Sequence, residues 1–348
     1  MLLVVDTART DTAPGANAPR ARRSDAPPRS ARAAGAESGG SSIARPRGLP
    51  LIGAQLSSAG GFLPVTQRAL AIGAEVVQIF NTNARTWKPR IPAPGEIEDF
   101  SAALHQHGLR LFFHAIYLIN LASPDEALRR RSSETLALAL ATGALAGAEA
   151  VVVHVGSHRG EAIEHAERRV VASISQAVAL AEESGSPDLP ALLLETGTGA
   201  GNTLGGRLEE LQTLLYLEEA GGLAGRLPFG VCIDTAHIFA AGYAIHTEEG
   251  LEGLIARLTT LGLAERVGLV HLNDSKIPFG VKRDQHENLG DGHIGYDGLA
   301  RVVRHPALAR VPFVLEVPGT DGHGPDAANM AVAKAMRAGR PRPRARRS

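Results

Sequence analysis

The 348-residue chain has a single cysteine, Cys232. An intramolecular disulfide and a multi-cysteine zinc site are both excluded, so a bound metal would have to be met by histidine and carboxylate. Net charge is lacking as well: 36 Lys+Arg stand against 36 Asp+Glu. A polyanionic partner would have to be met by a local patch or by bound cations rather than by the field of the whole molecule. No apolar run approaches the roughly 20 residues of a membrane span. The opening MLLVV is too short for the apolar stretch of a secretory signal and has no basic residues before it. No membrane association and a reducing, cytoplasmic setting are the expectations.

What the chain does have is apolar content, 44% of its residues, and 13 histidines. That is enough to bury a large core, and a (β/α)8 barrel of roughly 250 residues fits within the length. Residues 1–48 are mostly Ala, Arg, Pro, Ser and Gly with no apolar periodicity after Val5; such a segment buries too little surface to offset its ordering entropy and reads as a disordered extension. Residues 339–348, RAGRPRPRARRS from Arg337 onward, read as a second basic, Pro-broken tail.

Between them, residues 49–338 alternate short apolar runs with longer amphipathic stretches, the pattern of repeated βα units. Strand candidates are 51–55, 75–80, 109–115, 150–156, 191–196, 229–235, 267–273 and 312–317, each followed by a helix-length segment. Eight parallel strands with eight crossover helices predict one closed TIM (β/α)8 barrel of the α/β class.

In that fold chemistry is built at the C-terminal ends of the strands. From the third strand onward every strand ends in or just after a metal-ligand type: His114, His154, Glu195, Asp234, His271 and Glu316. His237 follows the sixth strand in what reads as a loop, and Asp284 and His286 form D-Q-H after the seventh, where positions i and i+2 of an extended segment face the same way. Taken singly, a loop His or Asp is usually a cap or a solvated turn residue. Five histidines and four carboxylates at one mouth, however, would carry a heavy desolvation cost without cations. N/O ligation without thiolate suits Zn2+, Mn2+ or Fe2+, the set is large enough for two or three ions, and such clusters catalyse hydrolytic displacement at phosphorus.

The runs HAIYLINLASP (114–124), VVHVGSH (152–158), LLETGTGAGNTLG (193–205), GVCIDTAHIFAAGY (230–243), HLNDSKIPFG (271–280), RDQHENLGDGHIG (283–295) and VLEV (314–317) resemble the endonuclease IV family of abasic-site nucleases. The resemblance implies three zinc ions, with Mn2+ or Fe2+ as substitutes: one on His114, His154 and Glu195, a second on Glu195, Asp234, His271 and Glu316, a third on His237, Asp284 and His286. It implies Glu195 and Glu316 as the catalytic carboxylates, and Arg85, Trp87 and Tyr117 as DNA-binding residues that enter the minor groove and support a flipped-out nucleotide. The implied partner is double-stranded DNA with abasic sites or blocked 3′ ends, acted on by a monomer. Gln55 stands where the family commonly has His.

The expected reaction is hydrolysis of the phosphodiester 5′ to an abasic site, leaving a 3′-hydroxyl and a 5′-deoxyribose phosphate. Two rivals stand beside it. A sugar isomerase or epimerase on a related barrel also uses strand-end Glu, Asp and His with one divalent ion, but has no need of His237, Asp284 and His286. A non-catalytic lesion binder would be expected to show a broken ligand position.

Overall fold

A computed structural model of the chain describes residues 48–343, with 187 and 224 left out; the N-terminal extension expected over 1–48 lies outside the described residues apart from Gly48. Eight parallel strands form the barrel: β1 (Ile52–Gln55), β2 (Val76–Phe80), β3 (Arg110–His114), β4 (Ala150–His154), β5 (Ala191–Glu195), β6 (Phe229–Asp234), β7 (Val267–His271) and β10 (Phe313–Leu315). They close in the order β1-β10-β7-β6-β5-β4-β3-β2. The crossover helices are α1 (Leu63–Ile72), α2 (Glu96–His107), α3 (Glu126–Ala146), α4 (Ile163–Glu183), α5 (Leu208–Ala220), α7 (Glu248–Thr260), α8 (Gly295–Arg304) and α9 (Ala327–Arg337). The strand and helix pattern read from the sequence is therefore the TIM barrel observed.

Side chains of a strand alternate between faces, so each strand sends every second residue into the barrel. Val76, Phe112, Val152, Leu193, Cys232, Leu269 and Val314 pack together there as one apolar cluster. Two residues further along each strand, toward its C-terminal end, stand Gln78, His114, His154, Glu195, Asp234, His271 and Glu316. An apolar floor thus carries a polar layer directly above it, in the part of the barrel where catalytic groups of this fold are held. Gln55 of β1, paired in register with Gln78, completes the polar layer.

Two elements differ from the sequence expectation. His237 is not in a loop: it lies in the first turn of a seven-residue helix, α6 (Thr235–Ala241), that starts directly after β6. The segment after β7 is tied down by an antiparallel pairing of β8 (Asp274–Ser275) with β9 (His286–Glu287). Both elements are too short to produce a readable periodicity.

At the opposite end of the barrel, the Glu75 carboxylate accepts the Ile52 N–H (2.9 Å) and both Arg337 guanidinium nitrogens (2.5 and 3.0 Å). Arg337 also donates to the Pro50 carbonyl at 2.9 Å, so the last helix is fastened to the first strand. Of the tail expected over 339–348, residues 344–348 lie outside the described residues; before them the Tyr296 hydroxyl donates to the Arg340 carbonyl (2.6 Å) and Arg342 pairs with Asp291 (2.8 Å).

Candidate metal centre

Glu195 is the hub. Its buried carboxylate lies 3.0 Å from His114 Nε2 and 3.3 Å from His154 Nδ1 through Oε2, and 3.0 Å from His271 Nδ1 through Oε1. His271 Nδ1 is also 3.3 Å from Glu316 Oε2 and 3.9 Å from Asp234 Oδ2. Beyond Asp234, His286 Nε2 lies 3.5 Å from Asp234 Oδ2 and 3.3 Å from Asp284 Oδ1, while His237 Nε2 is 3.3 Å from Asp284 Oδ2. Three groupings can each hold a metal ion, their ligand atoms within 4.8 Å of one another: His114, His154 and Glu195; Glu195, Asp234, His271 and Glu316; and Asp234, His237 and His286. Eight of the nine residues singled out as ligands in the sequence fall in these groupings, and the ninth, Asp284, meets His237 and His286 at their edge. Asp284 reaches the third grouping from a side chain 55% exposed, and Asp234 is near enough to serve two groupings.

The ring nitrogens are oriented, not merely close. His114 Nδ1 lies 2.6 Å from the Ala115 carbonyl, His237 Nδ1 2.8 Å from the Thr196 carbonyl, His286 Nδ1 3.3 Å from the Glu316 carbonyl, and His271 Nε2 3.0 Å from the Gln78 amide oxygen. A carbonyl only accepts, so each of these nitrogens carries the proton and the other nitrogen of the ring turns toward the carboxylates. Such outer contacts are how metal-binding histidines are held. His237 Nε2 and His286 Nε2 are buried and find no hydrogen-bond partner. Ring nitrogens that stand 3.3 Å from carboxylate oxygens without a well-formed hydrogen bond to them fit divalent cations of the Zn2+, Mn2+ or Fe2+ class.

Electrostatics agree with that fit. Burial alone would push the Glu195 carboxyl up, yet the neighbouring His154 and His271 charges and hydrogen bonds from His114 and His271 hold it well below the usual carboxylate range. Burial likewise opposes the charged form of His237, but Asp234, Asp284 and Glu195 together raise it well above the usual imidazole range. Asp284 is desolvated by the protein around it even though its side chain is half exposed, and His237 and His286 nevertheless hold it down at about 2.

Several supporting residues escaped the sequence reading. Gln78 bridges Glu316 and His271. Asn273 donates to Asp234 Oδ2 (2.7 Å) and accepts the Glu316 N–H (2.8 Å). Asp274 accepts the N–H groups of Ser275, Gly290, Gly292, Ile294 and Gly295 at 2.9–3.2 Å, which gathers the segment after β9; a Cβ on Gly292 would meet Asp274 Oδ1 at 2.5 Å. The signal available for Gln78 was a polar residue inside the otherwise apolar strand VVQIF, two residues beyond inward-facing Val76.

The three expected DNA-binding residues differ in setting. Arg85 is exposed in the loop after β2. Tyr117 is 52% exposed and stands over the cluster, its ring 5.2 Å from Phe80 and 5.9 Å from His154. Trp87 is instead half-buried against the core with the Arg131 guanidinium 4.8 Å above its ring. Beside them, a cleft of about 590 Å³ lies between the loops after β1 and β2, with Ser57, Phe80, Asn83 and Lys88 among its lining. Phe80 also touches His114, ring centroids 5.2 Å apart.

The xylose isomerase-like TIM barrel family profile matches residues 66–339. A probable endonuclease 4 of Nitratidesulfovibrio vulgaris (strain DP4) is 37% identical over 288 residues, 83% of this chain and 99% of the relative. The crystal structure of endonuclease IV from Thermus thermophilus superposes with a TM-score of 0.71 at 38% identity, over 82% of this chain and 98% of the other. The 3-keto-D-glucoside 4-epimerase of E. coli, covering 83% of this chain and 99% of its own at a TM-score of 0.59 but 15% identity, shares the fold. On relatedness that spans 83% of its own length and nearly all of an endonuclease 4 relative, and with the strand-end and loop residues assembled as described, the chain belongs to the endonuclease IV family within the xylose isomerase-like TIM barrels.

Proposed function

We propose that this protein is a DNA-repair endonuclease that hydrolyses the phosphodiester 5′ to an abasic site in duplex DNA, leaving a 3′-hydroxyl and a 5′-deoxyribose phosphate. Clearing of blocked 3′ ends by the same chemistry is a second activity of this reading. The observation that carries it is the third grouping, in which His237 and His286 direct buried Nε2 atoms at one place between the Asp234 and Asp284 carboxylates. A one-ion sugar isomerase has no use for it, whereas in-line displacement at phosphorus needs charge neutralised on both the attacking and the leaving oxygen.

Three bound zinc ions would supply an acidified water and that neutralisation. Glu195 holds the first two groupings together from its place between His114, His154 and His271. Glu316, its Oε1 fixed by Gln78, presents Oε2 to orient the attacking water. Asp284 and the two histidines beside it face the leaving 3′-oxygen. Tyr117 and Arg85 support the bent duplex around the extruded nucleotide, since an unpaired site is cheap to extrude. The test is scission of a duplex bearing one abasic site, with Glu316→Gln as the variant that should bind and not cut.

A further inference from the structure

Three of the four oriented histidines are fixed by main-chain carbonyls, which no substitution removes. The fourth is not: His271 Nε2 meets the side-chain oxygen of Gln78 at 3.0 Å. Gln78 is fully buried on β2, a strand hydrogen-bonded to neither β7 nor β10, so it reaches across the barrel to its two partners. Its amide nitrogen donates to Glu316 Oε1 at 2.9 Å. An ionised carboxylate only accepts, so it dictates which end of the amide faces it; the other end must then be the carbonyl oxygen, and His271 Nε2 must carry the proton. The relay reads in one direction only, from imidazole to amide to carboxylate, and it turns His271 Nδ1 toward Glu195 Oε1 and Glu316 Oε2.

We infer that Gln78 is a positioning residue that sets the His271 tautomer and the orientation of Glu316 together, coupling one ligand of the second grouping to another. The inference rests on the metal-dependent reading above and goes beyond it, since Gln78 lies behind the ligands it contacts and belongs to none of the three groupings. Loss of an outer contact of this kind costs about 10- to 100-fold in metal affinity.

The experiment compares zinc-loaded parent with Gln78→Met, which keeps length and burial and removes both amide groups, and Gln78→Glu, which keeps an acceptor for His271 but sets a carboxylate against Glu316. With 15N-labelled histidine, the parent should show His271 ligated through Nδ1 with a slowly exchanging Nε2–H. Gln78→Glu should retain that signal and Gln78→Met should lose it. Zinc release to a chromogenic chelator should be about 10-fold faster or more from Gln78→Met for the ion that His271 holds, while turnover falls in both variants through kcat with duplex affinity kept. A His271 signal and a release rate equal to the parent's in Gln78→Met would overturn the inference, as would identical behaviour of the two variants. Should Gln78→Met fail to fold, Gln78→Glu still decides: loss of the slow Nε2–H there, with zinc bound, contradicts the relay. A parent that binds zinc separates failure of this inference from failure of the reading beneath it.

Discussion

Asp234 Oδ1 accepts the backbone N–H of His237 at 2.9 Å, so one carboxylate ends a strand, caps the helix that follows and orients the next ligand along the chain. Its other oxygen accepts from Asn273 at 2.7 Å. The placing of His237 is thereby a consequence of Asp234, and the two are built as a unit from four consecutive residues.

In the metal-free protein, Asp234→Asn keeps an oxygen for the cap and loses the bond to Asn273, costing about 1 kcal/mol. Asp234→Ala loses both and leaves the Asn273 amide unpartnered, costing about 2–3 kcal/mol. Urea unfolding of the two variants checks this; equal losses would show that the cap does not matter.

Metal analysis of the purified protein should find close to three divalent ions per chain, mainly zinc. His286→Ala should lose about one of them, because the first two groupings keep all their ligands without it. Loss of every ion on that single substitution would show one indivisible centre.

Glu218 is fully buried on α5 with both carboxylate oxygens unpartnered, and burial, helped by the Glu219 charge, raises it from 4.5 to about 8. The folded chain therefore holds a proton that the unfolded chain releases across that window, and stability falls as pH rises through it. Glu218→Met should be more stable than the parent by roughly 2–4 kcal/mol near pH 9 and by much less near pH 5. A difference that does not change with pH, in urea unfolding, would place a partner on the carboxylate.

Arg85→Ala and Tyr117→Ala should narrow the preference for abasic over intact duplex by about tenfold, ~1.4 kcal/mol, with metal content unchanged. Competition binding reads this directly. Loss of metal in Tyr117→Ala would mean instead that its contacts with the His114 and His154 rings hold the ligands.

Much of this was legible in the sequence for one physical reason: alternation along a strand. Val152 and His154, Leu193 and Glu195, or Cys232 and Asp234 are inward neighbours two apart, so an apolar run ending in a ligand type names both floor and site. Gln78 obeys the same spacing but passed unmarked as a member of the layer, since glutamine is not a usual metal ligand and its role comes from partners 193 and 238 residues away. α6 and the β8–β9 pairing were missed because seven and two residues carry no period; what makes them is a cap from Asp234 and the gathering of loop N–H groups by Asp274. The half-buried setting of Trp87 was likewise not legible, since the Arg131 guanidinium over its ring comes from a helix far along the chain.

The central claim is tested most directly by incubating the zinc-replete protein, without added Mg2+, with duplex DNA carrying one abasic site and mapping the strand ends. The account predicts a single cut 5′ to the lesion, a 3′-hydroxyl that a polymerase extends, and a Glu316→Gln variant that binds the duplex yet cuts it slower by orders of magnitude. A zinc-replete parent that leaves the strand whole, and instead interconverts a ketose with its epimer or aldose, would contradict it.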